Sequence, residues 1–144
     1  MNQSGNEMGA SRRWRIAGLL AAGLVAGMVG CATTPAEVKQ PEREAIVKQR
    51  SQARWNALVA DRLDEAYAYY SPASRSVLSL QDFIRSIRGG FWKSAQVESV
   101  ECPGEDSCEV EVIVEYRFQG RLAKSPVRES WVRTDGQWWY VKKG

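Results

Sequence analysis

The sequence predicts an α+β fold in which three N-terminal helices pack on one face of a curved antiparallel sheet. Two patterns support this prediction. Apolar residues recur at helical spacing in the first half of the chain, for example at Val47, Trp55 and Leu58. Apolar and charged residues then alternate over residues 109–118, which is typical of a strand with one buried face. Because the helices come first and the strands follow, the pattern favours α+β over alternating α/β units.

The ends of the three helices are predicted from capping residues. A first helix begins near Pro41. Asp61 is placed at the N-cap of a second helix over residues 62–70, which the following Ser-Pro pair ends. Ser79 caps a third helix, and Gly89-Gly90 terminates it.

The strands are predicted from alternation and from turn residues. Asp135-Gly136 is a strong two-residue hairpin signal, and Gln119-Gly120 is a weaker one. The predicted inward set is apolar except for one hydroxyl: Val110, Val112, Val114, Tyr116 and Phe118. The predicted outward set contains Glu109, Glu111, Ile113 and Glu115. A register shift of one residue would turn these carboxylates inward.

Residues 1–30 have the three parts of a secretory signal. A basic stretch is followed by an apolar run over residues 16–29, and Gly30 precedes Cys31. The run of about fourteen residues is shorter than the roughly twenty that span a bilayer as a helix. A permanent transmembrane anchor is therefore not expected, and Met8 offers an alternative start.

The segment Met28-Val29-Gly30-Cys31 resembles the lipobox of bacterial lipoproteins. The resemblance implies cleavage before Cys31, acylation of that cysteine, including palmitate, and a tether over residues 31–41. Ala32 is not Asp, which by analogy with Gram-negative sorting implies the outer membrane, facing the periplasm. Two alternatives stay open: an ordinary signal peptide with an incidental thiol, and twin-arginine export through Arg12-Arg13.

Net charge excludes one class of function. The formal charge is +3 at pH 7, but three of the 20 basic residues and one of the 17 acidic residues precede Cys31. The remainder has a net charge of +1, with basic and acidic residues interleaved. Nucleic-acid binding is therefore not expected.

Cys102 and Cys108 flank a cluster of turn-forming residues between two β-rich runs. Directly opposed strand residues lie within disulfide reach, and the periplasm is oxidising, so a structural disulfide is predicted. A redox couple is the alternative. A zinc site is excluded on ligand count, since the chain has no histidine. No cofactor or metal is expected.

Residues 42–144 resemble the nuclear transport factor 2-like superfamily, which includes ketosteroid isomerase and the polyketide cyclases. The resemblance rests on core aromatics, the Ser71-Pro72 pair with Arg75, and the closing Asp135-Gly136-Gln137-Trp138. It implies a cone-shaped α+β domain with a pocket between helices and sheet. The ligand-pocket candidates are Trp55, Tyr67, Tyr70, Phe83, Trp92, Tyr116 and Trp131.

Function is predicted as a non-enzymatic module that binds a small apolar ligand or another envelope protein, with no assigned catalytic residue. The alternative is a small pocket enzyme of the isomerase, dehydratase or cyclase type, using Tyr67, Tyr70 or Tyr116 as hydrogen-bond donor or acid. The two differ in one observable: the enzyme needs a buried carboxylate within hydrogen-bond reach of such a tyrosine. A homodimer through the outer sheet face, around Ile113, is a further expectation.

Overall fold

The computed structural model describes residues 39–87 and 89–142. The helices and strands of these residues are α1 Gln40–Val59, α2 Leu63–Ala68, α3 Pro72–Val77, α4 Leu80–Ser86, β1 Trp92–Glu101, β2 Ser107–Phe118, β3 Arg121–Thr134 and β4 Gln137–Val141. The α+β prediction is confirmed, with four helices in place of the expected three. The signal sequence, Cys31 and most of the tether lie outside the described residues.

Helix α1 presents one apolar face to the sheet. Proline lies in its first turn, where the missing N–H group costs no hydrogen bond. Val47, Trp55 and Leu58 are buried at helical spacing, as predicted. Gln52 ties the helix to β1, since its amide donates to the Ala95 carbonyl at 2.9 Å and accepts from the Val97 N–H at 3.0 Å.

The predicted N-cap role of Asp61 is wrong. Asp61 has a φ of 55°, a left-handed conformation that short polar side chains tolerate but that an N-cap residue does not adopt. Its carboxylate instead accepts the Gly90 N–H at 3.0 Å. Arg62 occupies the N-cap of α2 without a side-chain cap. Asp61 therefore links the end of α1 to the turn before β1.

Helix α3 lies beyond the sequence prediction, which assigns the Ser-Pro pair only the end of a helix. The same pair ends one helix and begins the next: Ser71 Oγ accepts the Ser74 N–H at 3.0 Å, and Pro72 takes the first helical position. Helix α4 begins as predicted, since Ser79 Oγ accepts the Asp82 N–H at 3.1 Å.

The four strands form an open antiparallel sheet in the order β1-β2-β3-β4. Both predicted hairpins are present. Gln119 and Gly120 have φ values of 49° and 79°, and Asp135 and Gly136 have 53° and 74°, the left-handed pair that a type I′ turn requires. Strand β1 contains two register shifts against β2, and such bulges bend a strand.

The predicted faces of β2 are correct through most of the strand. Val110, Val112 and Val114 are buried, while the neighbouring glutamates are not. The prediction fails at Phe118, which is 58% exposed, because the end of the β2–β3 hairpin stands free of the core.

A disulfide links the ends of β1 and β2, and a short segment covers the outer edge of β4. Cys102 and Cys108 form the predicted disulfide, with Cα atoms 4.0 Å apart. Residues 69–71 cover the free edge of β4: the Ser71 N–H donates to the Tyr140 carbonyl, and the Tyr140 N–H donates to the Tyr69 carbonyl, each at 2.8 Å. Covered edges protect a sheet from pairing with other chains.

Candidate functional site

A buried carboxylate lies between α1 and the inner face of the sheet. Glu129 on β3 is 1% exposed and accepts four hydrogen bonds. Arg54 Nη1 donates to Oε1 at 2.6 Å and Trp55 Nε1 to Oε1 at 2.7 Å. Ser51 Oγ donates to Oε2 at 2.7 Å and Trp131 Nε1 to Oε2 at 2.9 Å. These five residues are called the Glu129 network below.

The Glu129 network uses the whole acceptor capacity of the carboxylate. An ionised carboxylate offers about four lone-pair sites, and each Glu129 oxygen receives two donors. A general base needs a lone pair facing its substrate. Glu129 would have to break a buried hydrogen bond to provide one, so the arrangement suits a structural tie between helix and sheet.

Aromatic rings surround the Arg54 guanidinium. Its Cζ lies 3.9 Å from the Tyr140 ring centroid, 5.4 Å from that of Tyr70 and 5.5 Å from that of Trp55. Such cation–π contacts strengthen when they are desolvated. Burial raises the pKa of the Tyr140 hydroxyl above its ordinary value, although the Arg54 charge opposes the rise.

The feature that would favour the enzyme alternative is not found among the described residues. The donors to Glu129 are a guanidinium, a hydroxyl of serine and two indoles. Tyr67, one of the tyrosines proposed as acid, instead donates to the Leu78 carbonyl at 2.7 Å.

Four of the predicted pocket residues meet in one aromatic group with Tyr140. Tyr70 packs against Tyr67, Phe83 and Tyr140 at centroid distances of 5.7, 5.4 and 4.8 Å. Trp131 joins through Tyr140 at 6.1 Å. Tyr70, Phe83 and Trp131 are buried and Tyr67 is half-buried, so these rings fill the space between helices and sheet.

The other three predicted pocket residues, Trp55, Trp92 and Tyr116, meet at the start of β1. Trp92 lies 5.3 Å from Trp55 and 6.1 Å from Tyr116, and Phe91 stacks on Tyr116 at 5.2 Å. Trp92 also lines a surface cleft of about 310 Å³ with Ile87 and Phe91. Ligand contact by the seven predicted residues stays a prediction.

A different cleft, of about 370 Å³, lies on the surface near the Tyr140 edge of the sheet. Its lining comes from α1, α2, the residue after α2, and β4: Arg50, Glu65, Ala68, Tyr69, Gln137 and Trp139. Glu65 is held by Arg62, which donates to its carboxylate at 2.8 Å. The cleft therefore combines a cation, two aromatic faces and an acid that already has a partner.

Arg50 is the unusual member of this cleft. Its Cζ lies 5.1 Å from the Tyr69 ring centroid and 5.9 Å from that of Trp139. Its Nε is buried without a hydrogen-bond partner, and burial lowers the pKa of the guanidinium. Within residues 39–87 and 89–142, Arg50 makes no ion pair.

Arg75 of α3 places a second guanidinium against the same indole, with its Cζ 5.3 Å from the Trp139 ring centroid. It too has no carboxylate partner in the described part of the chain. Two cations on one indole repel each other unless an anion compensates them. The cleft lined by Arg50, Tyr69 and Trp139 is called the arginine cleft below; Arg75 does not line it but contacts the Trp139 indole beside it.

The outer face of the sheet has a different character. Arg128 lies 3.6 Å from the Glu111 carboxylate, and Lys124 lies 3.8 Å from that of Glu115. These exposed cross-strand pairs flank Ile113, which faces Pro126. Dimerisation through this face stays a prediction.

Across the residues that the structure describes, no three metal-binding side chains are grouped to hold an ion, and no helix is long and apolar enough to cross a bilayer.

Comparison with known proteins gives structural likeness alone. No protein-family model matches the chain, and no curated protein matches it in sequence. The solution structure of a SEC-C motif containing protein from Rhodopseudomonas palustris has a TM-score of 0.51 at 17% identity, covering 72% of this chain and 76% of that one. A crystal structure of a SEC-C motif containing protein from Psychrobacter arcticus has 0.54 at 15%, covering 69% and 59%.

A third structure, of a Campylobacter jejuni protein described as an NTF2-like transpeptidase, has a TM-score of 0.48 at 15% identity, covering 67% of this chain and 98% of that one. The first two likenesses support the α+β fold and nothing about activity. The third, below 0.5, carries no argument.

Sequence reasoning missed Glu129 and Arg50. Trp131 was predicted as a pocket residue, and strand alternation places Glu129, two residues earlier, on the same face, so a signal for Glu129 was present. Arg50 lies one helical turn before Arg54, but no pattern in the sequence indicates which of the two finds a carboxylate.

Proposed function

We propose that this protein is an outer-membrane lipoprotein facing the periplasm, whose nuclear transport factor 2-like cone is a non-enzymatic binding module. The ligand is an amphipathic anion held in the arginine cleft. One observation carries the proposal: Arg50 lines an open cleft beside two aromatic rings and makes no ion pair within the described residues.

Charge and shape of the arginine cleft define the ligand class. Arg50 lines the cleft and has no carboxylate partner within the described residues, so an anionic group such as a carboxylate, sulfonate or phosphate would pair with it, and Arg75 on the neighbouring indole adds positive charge nearby. Tyr69 and Trp139 offer ring faces to the apolar or planar part of the same molecule. A neutral apolar ligand would leave the two cations uncompensated.

The Glu129 network supports a binding role over catalysis. Its carboxylate is saturated by donors from the protein, so the interior has a structural tie where a pocket enzyme would have a free base. The open cleft lies instead at the surface. Recognition there needs no proton transfer by the protein.

Binding is tested with two fluorescent probes that differ in charge. The probes are 8-anilinonaphthalene-1-sulfonate and the neutral N-phenyl-1-naphthylamine. We expect saturable binding of the sulfonate. Arg50→Gln should weaken it by at least about tenfold, since a hydrogen bond to a charged group is worth roughly 1.5–3 kcal/mol, and Arg75→Gln, which removes a charge beside the cleft, should weaken it less. The neutral probe should be unaffected by either change.

Arg85→Gln is the matched control. Arg85 is an exposed helix arginine paired with Asp82, so its removal alters net charge equally without touching the arginine cleft. Sulfonate binding that is unchanged in Arg50→Gln, or reduced equally in Arg85→Gln, would contradict the proposed site.

Lipid anchoring is tested separately in cells. Cys31→Ala should abolish incorporation of labelled palmitate and leave an uncleaved precursor, and an inhibitor of lipoprotein signal peptidase should reproduce that precursor. Cys102→Ala, which removes a disulfide cysteine, serves as control and should still be acylated. Normal cleavage in the presence of the inhibitor would overturn the lipoprotein assignment.

A further inference from the structure

The end of the β2–β3 hairpin combines exposed apolar and basic side chains. Residues 117–122 read Arg-Phe-Gln-Gly-Arg-Leu and are called the β2–β3 tip. Phe118 and Leu122 are each 58% exposed, and both arginines are exposed. The nearest acid on the hairpin, Glu115, already has Lys124 at 3.8 Å. Among the residues that the structure describes, the tip therefore has two positive charges without an ion pair beside two large apolar groups.

The strand register distributes these four side chains evenly. Phe118 pairs with Arg121, and Arg117 pairs with Leu122. Paired residues point to the same face, and successive residues point to opposite faces. Each face of the tip thus presents one apolar side chain and one arginine. Neither face is purely apolar or purely basic, so the end of the hairpin as a whole carries both properties.

This pattern differs from ordinary surface exposure. Single apolar residues on a surface are common and need no explanation. Val77, 86% exposed on α3, is an example. At the β2–β3 tip the core stops at Val114 and Tyr116, and the strands continue past it with two further apolar residues. Those residues are not part of the hydrophobic core.

We propose that the β2–β3 tip docks on a bilayer containing anionic phospholipid. Phe118 and Leu122 enter the boundary between headgroups and acyl chains, and Arg117 and Arg121 contact phosphates, since long basic side chains keep their charge at that level. Charge complementarity selects this partner, because a positively charged end with apolar residues on both faces matches an anionic interface.

The length of chain between Cys31 and α1 is consistent with this contact. Eight residues, 31–38, precede the first described residue and span at most about 28 Å when extended. If Cys31 is acylated, the domain cannot leave the bilayer surface. This argument rests on the proposed lipid anchor, whereas the docking itself does not require it.

The tip and the start of α1 lie toward opposite ends of the sheet. Along α1, Gln52 contacts β1 at Ala95 and Val97, and Trp55 contacts it at Trp92. The start of α1 therefore lies toward the disulfide end, and Trp92 pairs with Tyr116 near the tip.

Docking is tested with the unacylated chain from residue 32, because Ala36–Gly144 is one compact unit with its own core and disulfide. The chain is sedimented with vesicles of phosphatidylcholine alone or with 40 mol% phosphatidylglycerol. We expect binding only to the anionic vesicles, decreasing with added NaCl. The Arg117→Gln/Arg121→Gln pair should weaken binding about 25-fold, at about fivefold for each charge.

The Phe118→Ser/Leu122→Ser pair should weaken binding by at least tenfold, and Val77→Ser should leave it unchanged. Circular dichroism and unfolding of each variant establish that the fold is kept. Absence of binding, or equal binding by the tip variants, overturns the proposal. A dimer that the Phe118→Ser/Leu122→Ser pair abolishes, without vesicle binding, would make the tip a self-association surface instead. Palmitate labelling of Cys31 is independent of all these outcomes.

Discussion

Two arginines one turn apart on α1 have opposite surroundings. Arg54 donates to the Glu129 carboxylate at 2.6 Å and is 5% exposed. Arg50 lies partly open beside a cleft, has no ion pair in the described part of the chain and contacts two aromatic rings. Both guanidinium groups lie on aromatic faces. The two arginines therefore differ in whether a carboxylate of the protein pairs with them.

The comparison separates structure from recognition. A buried cation is tolerated when the protein supplies its partner, and Glu129 does so for Arg54. At Arg50 the protein supplies the rings, and in our proposal the anion comes from a ligand. The same residue type on the same helix thus serves the core at one position and, in our proposal, a ligand at the next.

The largest expected effect comes from removing the carboxylate that pairs with the buried Arg54. Glu129→Ala leaves Arg54 buried without an anion and leaves two indoles and Ser51 without their acceptor. We expect a loss of about 3–5 kcal/mol in the free energy of unfolding by urea. Glu111→Ala, which removes an exposed pair with Arg128, should cost no more than about 1 kcal/mol. Equal losses would contradict a special role for the Glu129 network.

The disulfide provides a scale for that effect, because it ties two strands without any charge. Replacing Cys102 and Cys108 by serine opens a small ring, with a sequence separation of 6. The chain-entropy relation gives a loss of about 2 kcal/mol. Urea unfolding of the double variant should show a smaller loss than Glu129→Ala; a larger one would make the hairpin clip, and not the Glu129 network, the main tie of the fold.

The smallest effect is a dependence on alkaline pH at the ring next to Arg54. Burial raises the pKa of Tyr140, so the folded state holds this proton more tightly than the unfolded state. That contribution to stability is complete below pH of about 10 and is lost as pH rises through the folded pKa. Tyr140→Phe should reduce the decline in thermal stability between pH 9.5 and 11.5. Identical slopes in the two proteins would show that Tyr140 is not desolvated.

Much of the fold follows from local patterns in the sequence. Alternation placed Val110, Val112 and Val114 inside, and turn residues located the β2–β3 and β3–β4 hairpins. The errors arose where one residue serves two elements or where burial depends on distant parts of the chain. Ser71 ends one segment and caps the next helix, and Phe118 continues an inward pattern after the core has ended.

The candidate site was less predictable for a physical reason. Ser51 and Arg54 lie more than seventy positions before Glu129, and the three meet only because α1 packs on the inner face of the sheet. In the local sequence, the buried Glu129 differs from the exposed glutamates of β2 only in lying two residues before Trp131 on the same strand. Local patterns likewise cannot show that Arg50 lacks a carboxylate, because that property depends on every neighbouring element.

The most direct test compares Arg54→Met with Arg50→Met, which remove the same charge one helical turn apart. We predict that Arg54→Met lowers the free energy of unfolding by about 3–5 kcal/mol, because Glu129 is left buried without a cation. Arg50→Met should change stability by less than about 1 kcal/mol and weaken sulfonate-probe binding about tenfold. Similar losses of stability in the two variants, or unchanged probe binding in Arg50→Met, would contradict the division between a structural and a ligand-binding arginine.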